Sequence, residues 1–334
     1  MTRRYLDQRL RLSLLRAVDA VEAQGSLLKA SATLGISQPA LTKNLQELED
    51  ILQLRLFDRH SRGVIPTAQG KLFTQAARRI LADLRRLEED LDEYVSPSSG
   101  TVAVGALPVA AAGVLPGVIA RLRTSHPNIK VRLQQGRTTD LSPLLASGEL
   151  DLIVGRLYEP ALTDGFKREA LWSEPIAIFA RAEHPIFSEA VRVESLRHYD
   201  LVLPTLGQRV GQEIEHLLAR LGLEPAAPLR SSSYDFIREV LNATDSISIM
   251  PCLMLLGDLL RGTLRTAPLP IPVPARPAGL ILPRDRMVPP ATRAFVQCLR
   301  SYICEVVTRG VTPSTINADS TMKASDMVDA MTEH

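Results

Sequence analysis

The sequence contains few aromatic residues, few cysteines and almost no net charge. Only 4% of its 334 residues are Phe, Tyr or Trp, so any core must rest mainly on Leu, Val, Ile and Ala. The three cysteines, Cys252, Cys298 and Cys304, are odd in number and lack C-x-x-C spacing, which argues against a disulfide framework or a zinc site and fits thiols in a reducing cytosol. Because 39 basic residues nearly balance 37 acidic ones, the overall charge neither requires nor excludes a nucleic-acid partner.

Membrane and export signals are also missing. No stretch of about 18 uncharged apolar residues occurs, which argues against a membrane-spanning helix. The first eight residues, Met1 to Gln8, are polar, and no apolar run follows them. The sequence therefore predicts no secretory signal, no membrane partner and a cytoplasmic location.

The motifs of common enzyme classes are absent as well. The sequence has no G-x-S-x-G elbow, no G-x-G-x-x-G or phosphate loop, and no H-E-x-x-H. The six histidines lack metal-ligand spacing and are His60, His126, His184, His198, His216 and His334. The sequence therefore predicts neither a metal nor a cofactor, and it makes an enzyme the weaker alternative.

The chain divides into four blocks of different pattern. Residues 9–67 carry short helical signals, and residues 68–95 read as one long charged helix with a regular apolar stripe. After a linker of Ser, Pro and Gly, residues 100–309 alternate apolar strands with amphipathic helices, which is the α/β pattern. Residues 310–334 are polar, rich in Ser, Thr and Asp, and are predicted to be disordered.

Two short helices joined by a glycine turn are predicted in the first block. Ser26 and Ser37 are suitable N-cap residues, Gly35 can end the first helix in the left-handed conformation, and Pro39 lies in the first turn of the second helix. An apolar stripe on the second helix is formed by Leu41, Leu45, Leu48 and Leu52. Its remaining faces present Gln38, Thr42, Lys43 and Gln46.

This arrangement is the one that reads DNA, because the leading turn of the second helix can enter the major groove. There Gln can pair with adenine and Lys with guanine or phosphate, while Ser37 and the helix N-terminus can contact phosphate. A hairpin is predicted from Leu56 to Thr67, and as a wing it would lay Arg59 and Arg62 along the DNA backbone or minor groove. An ordinary helical hairpin and a solvated loop remain the alternatives.

The long helix carries a heptad pattern, in which apolar residues recur in alternating steps of four and three. These residues are Phe73, Ala77, Ile80, Leu84, Leu87 and Leu91. Strict periodicity of this kind is typical of a helix that pairs with a second helix in a coiled coil, so the pattern predicts a dimerisation helix. An amphipathic helix packed on its own domain would show the same stripe and is the alternative.

The third block predicts two α/β lobes, of which the first has a parallel sheet with helices on both faces. The first lobe is expected at about residues 100–170 and 275–309, and the second at about 171–274. In such sheets, ligands bind at the carboxyl ends of strands, near helix N-termini, where Arg156 or Arg209 could balance an anion. The residues selected by this rule are Pro108, Val109, Thr138, Arg156, Thr205, Gln208, Arg209 and Val210. A capping or loop role is the alternative for each.

The segment from Leu14 to Gly70 resembles the LysR-type transcriptional regulators without a gap. The matching residues are Ala17-Val18, Gly25-Ser26, Leu34-x-Ile36-Ser37-Gln38-Pro39-Ala40-Leu41-Thr42, Leu48-Glu49, Leu54-x-Leu56-Phe57-Asp58-Arg59 and Thr67-x-x-Gly70. The resemblance continues in Leu145-x-x-Gly148-Glu149-Leu150-Asp151-Leu152 and from Asp245 to Pro251. The sequence departs from the family pattern at Ser31, at Leu14-Leu15, and at Val109, where the family commonly has a hydroxyl residue. Thr138 matches the family's hydroxyl position in the second loop.

The resemblance implies both a fold and a function. The expected fold is an N-terminal all-α winged helix-turn-helix with a long linker helix, followed by a two-lobed α/β domain similar to periplasmic binding proteins. Ser37, Gln38, Pro39, Thr42 and Lys43 are implied to face double-stranded promoter DNA, with Arg59 in support. The chain is then a regulator that responds to a small anionic or polar effector and forms a dimer, with a tetramer left open. The alternative is a small-ligand-binding α/β protein or an enzyme without regulatory DNA binding.

Overall fold

A computed structural model of the chain describes residues 9–60, 63–95, 100–158, 164–223, 228–269, 271, 275–284 and 286–308. Arg62 and the tail at 310–334 lie outside these residues, and so does the side chain of Arg59. Among the described residues, no helix combines the length and the apolar character needed to cross a bilayer.

Three helices and a two-stranded hairpin form the N-terminal region. They are α1 (Leu12–Gln24), α2 (Leu27–Leu34), α3 (Gln38–Leu52), β1 (Phe57–His60) and β2 (Gly63–Pro66). Gly25 and Gly35 end the first two helices in the left-handed conformation, with φ of 60° and 65°. The apolar faces of the helices meet in one core that includes Leu14, Leu41 and Leu48, each 0% exposed.

A single long helix, α4 (Ala68–Val95), follows the hairpin. Its first turns pack on the N-terminal core through Ala77 and Leu81, which are 1% and 8% exposed. Arg78 ties α4 to α1 by donating from Nε to Asp19 Oδ1 at 2.6 Å and pairing with Glu22 at 3.3 Å. The start of α4 is therefore part of the N-terminal region, and its later turns extend away from that core.

The first lobe of the C-terminal region is built on a five-stranded sheet with the order β4-β3-β5-β12-β6. Its strands are β3 (Gly100–Ala106), β4 (Ile129–Gln135), β5 (Leu152–Arg156), β6 (Phe166–Glu174) and β12 (Arg276–Pro283). Its helices are α5 (Leu115–Ser125), α6 (Thr138–Ser147) and α10 (Pro290–Thr308). The helices α5 and α10 cover one face of the sheet, and α6 covers the other.

This sheet is mixed, which corrects part of the expectation. The strands β3, β4 and β5 are parallel as predicted, but β12 runs antiparallel to both β5 and β6. The sheet includes β6 up to Glu174, and the chain enters the second lobe at Pro175. The helix after β3 opens with a π-helical turn, Ala110–Val114, ahead of Pro116.

The described residues of the second lobe form two small sheets and three α-helices. Its strands are β7 (Ile176–Arg181), β8 (Val202–Pro204), β9 (Leu229–Ser231), β10 (Ser248–Pro251) and β11 (Leu264–Thr266). Its helices are α7 (Arg209–Arg220), α8 (Tyr234–Ala243) and α9 (Leu256–Arg261). The order is β10-β7-β11 in one sheet and β8-β9 in the other, and Leu201 and Ile247 join the two by a parallel bridge.

The two lobes share a junction at which backbone meets backbone. Gly113 in the π-helical turn lies so close to the second lobe that a Cβ there would stand 1.6 Å from the carbonyl oxygen of Leu253. Buried residues from both lobes, such as Leu115, Phe179 and Met250, belong to one continuous apolar core. The two lobes are therefore in direct contact at this junction.

Candidate nucleic-acid interface and effector cleft

The leading turn of α3 is open to solvent. Ser37, Gln38, Pro39 and Ala40 are all exposed, while Leu41 behind them is fully buried. Ser37 Oγ accepts a hydrogen bond from the backbone N–H of Ala40 at 3.4 Å, which is the predicted N-cap. The N-cap and the buried Leu41 thus hold this turn in place, and its outer surface is accessible to solvent.

The other candidate DNA-contacting residues are distributed around this turn. Lys43 and Gln46 are exposed and follow Pro39 on successive turns of the helix, whereas Thr42 is half-buried. Ser26 is half-buried and caps α2 by accepting from Lys29 N at 3.5 Å. Lys43 and Gln46 therefore offer long polar side chains on the same side of the molecule as the exposed turn.

The end of α3 is held to the hairpin by one carboxylate. Glu49 Oε1 accepts from the backbone N–H groups of Leu56, at 2.7 Å, and Phe57, at 3.3 Å. These two donors open β1, so Glu49 fixes where the hairpin leaves the helix. This contact gives a physical reason for the Leu48-Glu49 and Leu56-Phe57 elements of the sequence pattern.

The Thr67-x-x-Gly70 pattern closes the same region from the other side. Thr67 Oγ1 donates to Arg55 O at 2.9 Å and accepts from Gly70 N at 3.0 Å, so it caps α4. A Cβ on Gly70 would lie 2.0 Å from Leu56 O. Glycine is therefore required where α4 passes the start of the hairpin.

The hairpin is anchored to the turn between α1 and α2. Val64 N donates to Gly25 O at 3.0 Å, and a Cβ on Gly63 would meet that same oxygen at 2.7 Å. Gly63 also has a φ of 140°, which disfavours other residues. The predicted wing is thus held beside the helix-turn-helix unit, and its outer residue Ile65 is 57% exposed.

The predicted dimerisation stripe divides into two sets. Ile80, Leu87 and Leu91 are 42%, 54% and 59% exposed, and Leu84 is half-buried. Ala77 is instead 1% exposed inside the N-terminal core, and Phe73 packs against that core. The prediction for Ala77 is therefore wrong, because this face of α4 packs on its own domain, whereas the face that carries Ile80 and Leu87 is exposed.

The loops that follow the first-lobe strands lie side by side. Leu107 N donates to Val154 O at 2.9 Å, and Gly136 N donates to Ala106 O at 3.1 Å. This brings Pro108, Thr138 and Arg156 to one edge of the sheet, as the strand order requires. Pro108 and Thr138 are half-buried, and Thr138 is the first residue of α6.

The second lobe brings α7 to the same edge. Thr205 and Gln208 are half-buried and Arg209 is exposed, and the Arg209 guanidinium carbon stands 4.4 Å from the ring centroid of Tyr158 in the first lobe. Gln208 Oε1 accepts from the Tyr234 hydroxyl at 2.9 Å. The facing edges of the two lobes therefore meet here, and we call the region between them the interlobe cleft.

Two of the candidate effector residues are core residues. Val109 is 5% exposed and packs in the core that spans the lobe junction, and Val210 is 8% exposed in the core of the second lobe. Their side chains do not face the cleft as contact surfaces. These two assignments are therefore corrected, because both side chains pack inward from the loops that the rule selects.

Arg156 is buried in an ion-pair cluster and is not an open counter-charge. Its side chain is 3% exposed, its Nε donates to Glu174 Oε2, and its Nη1 donates to Glu213 Oε2 at 2.7 Å. Glu174 lies at the end of β6 in the same lobe, whereas Glu213 comes from α7 in the other lobe. In this structure, the counter-charge that the sequence predicts at Arg156 is therefore already paired with two carboxylates.

The charges of this cluster follow from burial and pairing. Burial lowers the pKa of Arg156, but the attraction of Glu174 and Glu213 outweighs it, and the pKa ends above the ordinary value. Burial raises the pKa of Glu174, although Arg156 opposes the rise. Burial also raises the pKa of Tyr234 to about 12. The cleft thus contains a charged guanidinium and a neutral tyrosine hydroxyl at neutral pH.

The sequence reasoning missed the partners of these residues. Tyr158, Glu174, Glu213, Tyr234 and Arg276 stand in or beside the cluster, and Arg276 Nε lies 3.6 Å from Glu213 Oε1. Only Glu213 had a readable signal, because it follows Arg209 by one helical turn and shares its face. Glu174 and Arg276 flank the two chain crossings between the lobes, and no local pattern encodes their meeting with Arg156 and Glu213.

Comparison with known families matches nearly the whole described chain. Residues 12–71 match the model described as the bacterial regulatory helix-turn-helix protein of the lysR family, and residues 96–303 match the LysR substrate binding domain. The chain is 30% identical over 304 residues to the HTH-type transcriptional regulator PcaQ of Agrobacterium fabrum, covering 90% of this chain and 97% of that protein.

Solved structures share the fold. A full-length CbnR complexed with its target DNA has a TM-score of 0.62 at 21% identity, covering 88% of this chain and 100% of that chain. A full-length OxyR variant from Pseudomonas aeruginosa has a TM-score of 0.60 at 22% identity, covering 88% of this chain and 94% of that chain. At these identities the likeness shows a common architecture of helix-turn-helix head and two-lobed domain.

Proposed function

Since the chain belongs to the LysR family of bacterial transcriptional regulators, we propose that it reads promoter DNA with the leading turn of α3 as a dimer joined along α4, and that a small polar or anionic effector bound in the interlobe cleft controls this binding. The family consists of regulators of transcription that bind promoter DNA and small-molecule effectors, not of enzymes. The residues, the oligomer and the effector class are the parts proposed for this chain.

The exposure of the α3 leading turn is the observation that carries the proposal. Ser37, Gln38, Pro39 and Ala40 are exposed while the leucines of the opposite face are buried, so the core supports this turn and leaves its outer surface accessible to a partner. Gln38, Lys43 and Gln46 have the side-chain length and hydrogen-bonding groups that base edges and phosphates require. The proposed interface consists of Ser26, Ser37, Gln38, Pro39, Thr42, Lys43 and Gln46, with the wing arginines Arg59 and Arg62.

The proposed dimer rests on the exposed part of α4. Ile80, Leu84, Leu87 and Leu91 lie along one side of the helix, beside the face that packs on the N-terminal core, and three of the four are more than 40% exposed. A row of exposed leucines at heptad spacing is stabilised when a second copy covers it. Two recognition helices could then read two half-sites that are about one DNA turn, or a multiple of it, apart.

Effector control follows from the two-lobed cleft. A ligand that binds one arrangement of the lobes better than another shifts their equilibrium and thereby the geometry of the paired DNA-binding heads. Thr138, Thr205, Gln208 and Arg209 are the candidate polar contacts, and Arg156 contributes through its cluster. Because α4 connects directly to the first lobe through residues 96–99, a change in lobe geometry can reach the heads without a further partner.

A gel-shift assay with DNA upstream of the chain's own coding sequence tests the interface. Lys43→Ala and Gln46→Ala should each weaken specific binding by about 1–3 kcal/mol, because each removes a side chain that reaches a base or phosphate. Lys167→Ala is the matched control, since Lys167 is an exposed lysine on β6 of the first lobe. Unchanged affinity in both α3 variants, or an equal loss in the control, would contradict the proposal.

A further inference from the structure

One face of α7 contacts the first lobe across the interlobe cleft. Arg209 and Glu213 are one helical turn apart, so their side chains leave the helix on the same side. Arg209 stacks on Tyr158, and Glu213 pairs with Arg156 at 2.7 Å and with Arg276 at 3.6 Å. All three contacts join the second lobe to the first, and none of them lies within a lobe.

The position of Glu213 is one that a ligand carboxylate would occupy. Its carboxylate is held between two arginines of the opposite lobe, and its side chain is 19% exposed, whereas that of Arg156 is 3% exposed. Together Arg156 and Arg276 carry two positive charges, which Glu174 and Glu213 balance. Removal of the Glu213 carboxylate would leave one positive charge without compensation, and a small anion could restore the balance.

Arg156 also retains bonding capacity that Glu213 does not use. Its Nη2 and the Oε1 of Glu174 are buried and have no hydrogen-bond partner among the described residues. Glu213 accepts a hydrogen bond from Nη1 alone, so it uses one of the two terminal nitrogens of the guanidinium group. A free carboxylate could meet Nη1 and Nη2 together, which is the stronger, bidentate geometry.

We propose that Glu213 is a built-in carboxylate that occupies the effector's anion subsite and must be displaced by the carboxylate of an acidic effector. Glu213 is then the residue that sets the effector class, because it demands a ligand acidic enough to replace it on Arg156 and Arg276. A neutral ligand would leave both arginines paired as they are. The inference rests on the proposed function in taking the interlobe cleft as the effector site.

Chemical rescue with acetate tests whether the subsite that Glu213 fills accepts a free carboxylate. Glu213→Ala removes one methylene and one carboxylate, which together correspond to acetate. Sodium acetate should raise the Tm of this variant by about 2–4 °C above sodium chloride at equal ionic strength, because the anion binds only the folded cleft. The parent should not respond, since its own carboxylate fills the site, and acetamide should have no effect on either protein.

Glu215→Ala is the matched control. Glu215 lies on the same helix and pairs with Arg230, away from the other lobe, and its side chain is 50% exposed. It loses the same atoms and charge without opening the cleft, so acetate should not raise its Tm. An equal response of the parent, Glu213→Ala and Glu215→Ala to acetate would overturn the inference, as would no response in Glu213→Ala.

A second variant covers failure of Glu213→Ala to fold. Glu213→Gln keeps the size of the side chain but offers arginine a neutral amide, which acetate displaces more easily than a carboxylate. Its rise in Tm with acetate should exceed that of the parent, and an equal or smaller rise would overturn the inference. Gel shifts of the parent test the proposed function independently, so a failure of rescue with intact DNA binding counts against the role of Glu213 alone.

Discussion

Single glycines in the N-terminal region are fixed by the backbone that passes beside them. Gly63 and Gly70 both stand where any Cβ would meet a carbonyl oxygen, of Gly25 in one case and of Leu56 in the other. The short polar side chains Ser26, Ser37 and Thr67 satisfy the backbone N–H groups that open three of the helices. The local geometry of the DNA-binding head is therefore set by residues that serve the backbone around them.

Substitution of Gly70 by alanine should weaken folding. The added Cβ would stand 2.0 Å from Leu56 O, so α4 or the start of β1 must shift, at a cost of about 1–3 kcal/mol. Urea unfolding followed by circular dichroism measures the change. Gly207→Ala is the control, because nothing lies within 4 Å of its added Cβ, and it should unfold as the parent does. Equal stability of the two variants would show that the contact imposes no strain.

Cysteine reactivity should separate Cys252 from Cys304. Burial, and to a lesser degree Glu174, raises the pKa of Cys252 to about 12, so roughly one thiol in ten thousand is ionised at pH 8. Cys304 is exposed. Iodoacetamide at pH 8 should therefore modify Cys304 in the folded protein and spare Cys252, as read by peptide mass spectrometry. In urea, both should react, and comparable rates at the two positions in the folded protein would contradict this burial.

At the scale of elements, sequence periodicity located most helices and strands because it reports which faces are buried. The α3 stripe of Leu41, Leu45, Leu48 and Leu52 is buried as predicted, since the whole face packs into the single core of the N-terminal region. The β1–β2 hairpin was likewise readable from its glycine turn. The resemblance to a known family added the roles of these elements, which periodicity alone could not supply.

Three features could not be read because they depend on contacts that are distant in the chain. The stripe on α4 was treated as one exposed surface. Ala77 instead packs in the N-terminal core, and the exposed members of the stripe are Ile80, Leu87 and Leu91. Val109 and Val210 were selected by their place after a strand, although their side chains pack inward. Arg156 was selected as a cation, while Glu174 and Glu213, which neutralise it, arrive from another strand and another lobe.

At the scale of the whole molecule, residues 96–99 join α4, which carries the exposed stripe, to the first lobe, which forms one side of the interlobe cleft. In a dimer, the stripe would fix the distance between the two N-terminal DNA-binding regions, and the cleft would set the relative orientation of the lobes. A change in the cleft can alter DNA binding only if the heads are held as a pair, because a single head has no spacing to change. In the proposed function, dimerisation is thus the condition for effector control, and it can be tested apart from any effector.

Leu87→Asp should convert the dimer to a monomer, since it places a charge in the middle of the exposed stripe, where Leu87 is 54% exposed in the single chain. Sedimentation velocity measures the change, and a gel shift should show a parallel loss of affinity for a two-half-site operator. Leu260→Asp is the matched control, because Leu260 is 43% exposed on α9 of the second lobe. It should sediment as the parent does. If Leu87→Asp also sediments as an intact dimer, a surface other than α4 joins the subunits, and the heads are spaced by the lobes instead of by this helix.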